Sequence, residues 1–400
     1  MTEAILVINA GSSSLKFSLF AVGQAPDRAG LLCEGQIEGL RGDARLTAQD
    51  GDGAALVDRV LGNAGHDKAL PLLLSWIDTQ FDGAKLVAAG HRVVHGGEAF
   101  TRPVLVDDDV MQALAGLVPL APVHQPHNLA AISALRAAHP ALAQVACFDT
   151  AFHAGQPEMA RLFAIPQALT AQGLRRYGFH GLSYEYVAGR LPGLMGPQTA
   201  EGRVVVAHLG SGASLCALHR RQSIATTMGL TALDGLMMAR RCGSIDPGLL
   251  LYLMREKEMS AAEVSDLLYN RSGLLGVSGI SDDMRVLLES DEEDARKAVD
   301  LFVYRIVREL GSMVAALGGL DALIFTAGIG AHAPEIRARI CRAAAWLGIR
   351  LDERANMAGQ ACISDSKVSA WVVETDEDLM IARHTAALLA AAGPEGGRNG

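Results

Sequence analysis

Short runs of β-branched and other apolar residues alternate along this chain with longer stretches whose apolar positions return every three or four residues, the pattern of an α/β protein. Ile5 to Ile8 predicts an early strand, and Leu15 to Phe20 its hairpin partner across a Gly-Ser turn. Further strands are predicted at Lys85 to Ala89, Ala143 to Phe148, Arg203 to Ala207, Leu215 to His219, Leu323 to Thr326 and Trp371 to Glu374. Val299, Phe302, Val303, Ile306, Val307, Leu310, Met313 and Val314 mark a core-facing helix with no chemical role. The Gly-rich, charged stretch 393–400 reads as a frayed tail.

One supersecondary pattern occurs twice. Ile8-Asn9-Ala10-Gly11-Ser12-Ser13-Ser14-Leu15 is echoed by Ala207-His208-Leu209-Gly210-Ser211-Gly212-Ala213-Ser214-Leu215, and each copy reads strand, Gly/Ser turn, strand. Two copies in the two halves of a 400-residue chain predict a duplicated domain with a ligand cleft between the copies.

A net charge of −9 without a Lys/Arg block argues against a nucleic-acid partner, so an anionic ligand would need a local cationic pocket. The six cysteines, Cys33, Cys147, Cys216, Cys242, Cys341 and Cys362, lack CxxC spacing and read as reduced, packed thiols. Met1-Thr2-Glu3 leads directly into a short strand, with neither signal peptide nor membrane span, which predicts a cytoplasmic protein without a membrane partner.

Three sets of residues could carry chemistry. In Asn9 to Lys16, small residues let backbone N–H groups and hydroxyls form a nest for phosphate, with Lys16 adding charge; the spacing is not that of a Walker A loop. Gly90-His91-Arg92-Val93-Val94-His95-Gly96-Gly97 closes an apolar strand, where the two-pronged guanidinium of Arg92 suits a carboxylate or phosphoryl group. His91 and His95 read as packing groups or as supports of the residues that touch the ligand. The third set is scattered: His124, Asp149, His180, Arg240 and Arg241, of which His124, His180 and Arg241 lie within two residues of a Gly or Pro.

Asn9 to Lys16 and His91 to Gly97 resemble the two signature segments of the acetate kinase family. Further blocks resemble it in the same order: Phe148 to His153, Tyr177 to Gly181, His208 to Ser214 and Gly279 to Arg285. The resemblance implies the sugar kinase, Hsp70 and actin superfamily, with two duplicated ribonuclease-H-like domains and an interdomain active-site cleft. The expected domains are 1–150 with 384–400, and 151–383. It also implies reversible phosphoryl transfer from ATP to acetate, with Mg2+ (Mn2+ able to substitute), and a homodimer. A sugar kinase would need a polar wall where Val94, Val123 and Phe179 stand. An Hsp70-like binding module would not need Arg92, His180 and Arg241 together.

By the same resemblance, Asn9 and Glu377 contact the metal, and Lys16 and Ser12 lie near the nucleotide phosphates. His208, Leu209, Gly210, Ser211, Gly212, Asp283, Met284, Arg285, Gly328, Ile329, Gly330, Ala331 and His332 line the nucleotide site. Arg92 holds the substrate carboxylate, with His124 nearby, while His180 and Arg241 stabilise the phosphoryl group in flight. Asp149, often described as catalytic in the family, is read here as orienting an arginine or metal-bound water, since a carboxylate substrate is already ionised and needs no base. The acyl pocket falls on Val94, Val123, Phe179 and Ala232. Leucine and proline are commoner at the second and fourth positions, so the extra room predicts use of propionate. Two other departures are Ala239-Arg240-Arg241-Cys242-Gly243 in place of the commoner Gly-Thr-Arg-Ser-Gly, and Ala327 to His332 in place of Gly-Gly-Ile-Gly-Glu-Asn.

Overall fold

The structure, a computed structural model, describes residues 2–391 apart from 12, 24, 25 and 41, and apart from the side chains of 66 and 67. Ser12 and the tail 393–400 therefore lie outside the described residues. Two compact units divide the chain, 1–151 with 376–400, and 152–375.

The first unit is built on eight strands, β1 (Thr2–Ala10), β2 (Ser14–Ala21), β3 (Leu31–Glu38), β4 (Asp43–Gln49), β5 (Ala55–Asn63), β6 (Ala84–Val93), β7 (Val104–Leu105) and β8 (Ala143–Phe148), in the order β5-β4-β3-β2-β1-β6-β8-β7. β1 runs antiparallel to β2 and parallel to β6, and β6 runs parallel to β8. The second unit carries β9 (Arg203–Leu209), β10 (Ala213–His219), β11 (Gln222–Thr226), β12 (Ala322–Thr326) and β13 (Ser369–Val372), in the order β11-β10-β9-β12-β13. Its strand directions repeat those of β3-β2-β1-β6-β8. The sequence echo is thus one folding pattern built twice: an antiparallel three-strand meander extended by two parallel strands.

Continuous apolar runs form the central strands because both faces are covered. Ala4 to Ile8 and Val204 to Leu209 are almost wholly buried. The helix expected over 299–314 spans Glu293–Leu317 and buries Val299, Phe302, Ile306, Leu310 and Met313.

Three boundaries differ from expectation. β6 continues to Val93, because Arg92 and Val93 still pair with Cys147 and Phe148 of β8, so Arg92 is fixed on a strand. The last strand lies at Ser369–Val372 instead of 371–374, since its parallel partner ends at Thr326. The chain returns to the first unit at Asp376 instead of residue 384, because the whole helix Glu377–Ala391 packs against β1, β6 and β8.

Candidate active site

In the first unit the β1–β2 hairpin sets Asn9 directly opposite Lys16. Arg92, near the end of the neighbouring β6, donates from Nε to Asp149 Oδ1 at 2.9 Å and from Nη2 to Oδ2 at 2.6 Å. Its Nη1 donates to Asn9 Oδ1 at 3.3 Å, and Glu377 stands 3.9 Å from its Nε. Asn9, Arg92, Asp149 and Glu377 are thereby brought together from the ends of two strands, the segment after a third and the start of a helix.

Burial pushes the Glu377 carboxyl up to about 7; Arg92 pulls against this shift, and Asp149 and Asp378 add to it. Asp378 is raised by burial as well, although Ser18 Oγ donates to it at 2.6 Å. Among the described residues no group of three or more His, Cys, Asp or Glu side chains is arranged to hold a metal. One carboxylate and one amide, in a spot where added negative charge is already costly, suit a magnesium ion that takes its remaining ligands from water and phosphate.

The ends of β1 and β6 are clamped from behind by Asn128, which accepts from Val94 N at 3.1 Å and donates to Ala10 O at 2.8 Å. Gln125 does the same for His95, accepting from its N and donating to its O. Neither residue was singled out in the sequence; both lie near the start of the helix Gln125–Ala138. His124 is the residue before that helix, Gln125–Ala138. Val94 is buried, whereas Val123 is 39% exposed. His91 is buried, and burial pushes its imidazole down to about 4, so the ring is neutral at neutral pH.

In the second unit the β9–β10 hairpin places His208 opposite Ser214, the positions that Asn9 and Lys16 take in the first. The His180 and His208 rings stack at 4.1 Å and 15°. His180 Nδ1 is 2.9 Å from Ser214 Oγ, and His208 Nδ1 is 2.9 Å from Ser183 Oγ, which donates to Thr375. The turn before His180 is wound tightly: Gly178 has φ 77° and a Cβ there would strike His153 and Thr226. His180 itself adopts φ 59° at the N-terminus of the helix Gly181–Ala200. Beneath it, buried His153 contacts Phe179 O through Nε2 at 2.9 Å. Burial holds its imidazole at about 4.

Gly212 joins the hairpin to the catalytic candidates. A Cβ built on it would lie 3.1 Å from His180 Nε2 and 4.0 Å from Arg241 Nη1. Arg241 Nη1 donates to Ala232 O at 2.9 Å, so Ala232 contributes a carbonyl that holds the arginine. The neighbouring Arg240 turns aside to Asp282, Nε to Oδ2 at 2.6 Å.

Gly210, Ser211, Asp283, Met284, Arg285, Gly328, Ile329 and His332 line a single cavity of about 720 Å³, inside the size range of small-molecule sites. Leu209 and Gly330 are buried behind this wall. Ala327 has φ 65° although it carries a side chain. The short helix Ala327–His332 is held by a buried arginine that sequence reasoning did not single out. Arg337 donates from Nη1 to Gly330 O at 3.0 Å and Ala331 O at 2.6 Å, and from Nε to Asn356 Oδ1 at 2.8 Å.

A family model described as the Acetokinase family matches residues 4–383. The chain belongs to the acetokinase family. Members similar to it include an acetate kinase of Rhodopseudomonas palustris (strain TIE-1), 59% identical over 96% of this chain and 98% of that protein. An acetate kinase of Rhizobium meliloti is 50% identical over 97% of this chain and 99% of its own length. Among solved structures, a propionate kinase from Francisella tularensis superposes with a TM-score of 0.89 at 34% identity, covering 96% of this chain and 98% of that one. Porphyromonas gingivalis acetate kinase gives 0.85 at 35% identity, covering 96% of this chain and 100% of its own. The acetokinase fold is therefore shared over nearly the whole length.

Proposed function

We propose that this acetokinase-family protein transfers the terminal phosphoryl group of ATP reversibly to acetate, giving acetyl phosphate and ADP, and that it also accepts propionate. The observation that carries this proposal is the grip of Asp149 on Arg92. Guanidinium has five N–H donors, and the contacts to Asp149 and Asn9 use three of them. One N–H remains on each terminal nitrogen, a fork that matches a carboxylate or a phosphoryl group.

The acceptor is an ionised carboxylate at neutral pH, so its oxygen can attack without losing a proton. Arg92 orients it, and Val94, Val123, Phe179 and Ala232 form the apolar surroundings of its alkyl end, with His124 nearby. Charge on the three equatorial oxygens of the transferring group is met by Arg241 and His180, a role in which one arginine is worth ~10³ in rate. Gly210, Ser211, Gly212, Asp283, Met284, Arg285 and the stretch Gly328 to His332 bind the nucleotide, with His208 and Leu209 behind them and Lys16 and Ser12 toward its phosphates. Asn9 and Glu377 would hold Mg2+, or Mn2+ in its place, which neutralises phosphate charge when bound. Asp149 keeps Arg92 in register.

A homodimer and a cytoplasmic location complete the proposal. Pairing is supported by the helix Pro247–Glu256, which exposes Leu249, Leu251, Tyr252 and Met254. Among the described residues no helix is long and apolar enough to cross a membrane. The reverse reaction is the simplest test. ADP, acetyl phosphate and Mg2+ should give ATP, read by luciferase, and this should stop when Arg92 or Arg241 becomes alanine. ATP formation that persists in both variants would overturn the proposed roles.

A further inference from the structure

Tyr184 is fully buried, and among the described residues its hydroxyl is bonded to Ser214 Oγ. Ser214 Oγ also lies 2.9 Å from His180 Nδ1. Each hydroxyl owns one proton, so the direction of this chain depends on where those protons can go. If Ser214 donated to Tyr184, the phenolic O–H would be left in an apolar interior without an acceptor, at the full desolvation cost of that donor. Donation from Tyr184 to Ser214 avoids this, and the Ser214 proton is then directed at His180 Nδ1. An imidazole that accepts at Nδ1 carries its hydrogen on Nε2. Nε2 is the nitrogen turned toward Gly212, where Arg241 Nη1 also points.

We infer that Tyr184 and Ser214 are positioning residues that hold His180 as its neutral Nε2–H tautomer, so that a hydrogen-bond donor, and not a lone pair, stands beside Arg241 for an anionic group. That the anion is a phosphoryl group rests on the function proposed above; the tautomer does not. No proton leaves His180 in this role. The titratable and charged groups around the relay include His208, stacked on His180, Arg241 across Gly212, and Cys216 and His153 beside Tyr184. Burial keeps the Tyr184 phenol protonated throughout the working range.

The experiment is 15N NMR of the histidine side chains in the full chain, with His180 assigned by difference from His180→Gln, alongside steady-state kinetics of Tyr184→Phe. Wild-type His180 is expected to show the Nε2–H pattern. In Tyr184→Phe the Ser214 oxygen becomes free to accept, so the Nδ1–H form gains and kcat at pH 8 falls about tenfold, while KM for the carboxylate changes less than about twofold. The deficit should shrink at low pH, once the ring takes up a second proton, because imidazolium carries Nε2–H whichever neutral tautomer it came from. A wild-type spectrum of the Nδ1–H type, or a loss in Tyr184→Phe that is equal at every pH, overturns the relay. Should Tyr184→Phe fail to fold, Ser214→Ala removes the hydroxyl that donates to His180 Nδ1 and is read by the same two measurements. Absence of carboxylate-dependent transfer in the unmodified protein would sink the proposed function and leave the spectrum to decide the relay.

Discussion

Asp149 holds Arg92 with both carboxylate oxygens, at 2.9 Å from Nε and 2.6 Å from Nη2. This pairing along one edge of the guanidinium fixes the direction of the terminal fork, and Asp149 is nearly inaccessible to solvent while Arg92 is partly exposed. Asp149→Asn keeps the shape but turns an amide N–H₂ toward an N–H of Arg92. Transfer should fall by ~10² or more, with a rise in KM for the carboxylate, in a protein whose circular dichroism is unchanged. Turnover near that of the wild type would contradict the positioning role.

Glu377 titrates near neutrality, with a pKa of about 7 against an ordinary 4.5. Its folded form keeps the proton to higher pH than the unfolded chain, so its contribution to stability fades as pH rises from the ordinary value to about 7. Cation binding requires the ionised form and releases the proton. Mn2+ affinity, followed by electron paramagnetic resonance, should weaken about tenfold from pH 8 to pH 6. Glu377→Gln should bind the ion more weakly and show no such slope.

Ala327 occupies a left-handed conformation, φ 65°, immediately before the nucleotide cavity. A methyl group there costs ~1 kcal/mol relative to glycine. Ala327→Gly should raise the thermal midpoint of the second unit by ~2 °C. A lower midpoint would show that the alanine packs to advantage.

Arg337 is buried and spends its donors on the carbonyls of Gly330, Ala331 and Asn356 and on the Asn356 side chain. Arg337→Met leaves those carbonyls without partners, at ~1–3 kcal/mol for each buried group. KM for ATP should rise at least ~tenfold, with the carboxylate KM little changed. Equal rises in both would mean that the arginine supports the unit in general and not the nucleotide loop.

Legibility in the sequence followed burial. The central strands stood out because Ile5 to Ile8 and Val204 to Leu209 are apolar on both faces, whereas β4 alternates buried and exposed positions and β5 is mostly exposed, so neither gave a run to read. The echo around Gly11 and Gly210 was visible because a short hairpin needs small residues at fixed places. The return point at Asp376 was not, since the apolar positions of Glu377–Ala391 do not say which sheet they cover. Arg92 and Asp149 were found by residue type, but their bond is 57 positions apart in the chain and belongs to the fold. Arg337, Asn128 and Tyr184 escaped notice because a polar residue on a helix looks solvent-facing until its partners are known.

The central proposal is that a short carboxylate bound by Arg92 receives the phosphoryl group of ATP, and that propionate serves beside acetate. A hydroxamate assay with C2 to C4 carboxylates, ATP and Mg2+ tests it most directly. Acyl hydroxamate should form from acetate and from propionate, with kcat/KM values within about tenfold of each other. No hydroxamate from any of the acids would contradict the proposal itself, and a ratio above about a hundredfold in favour of acetate would contradict the proposed use of propionate.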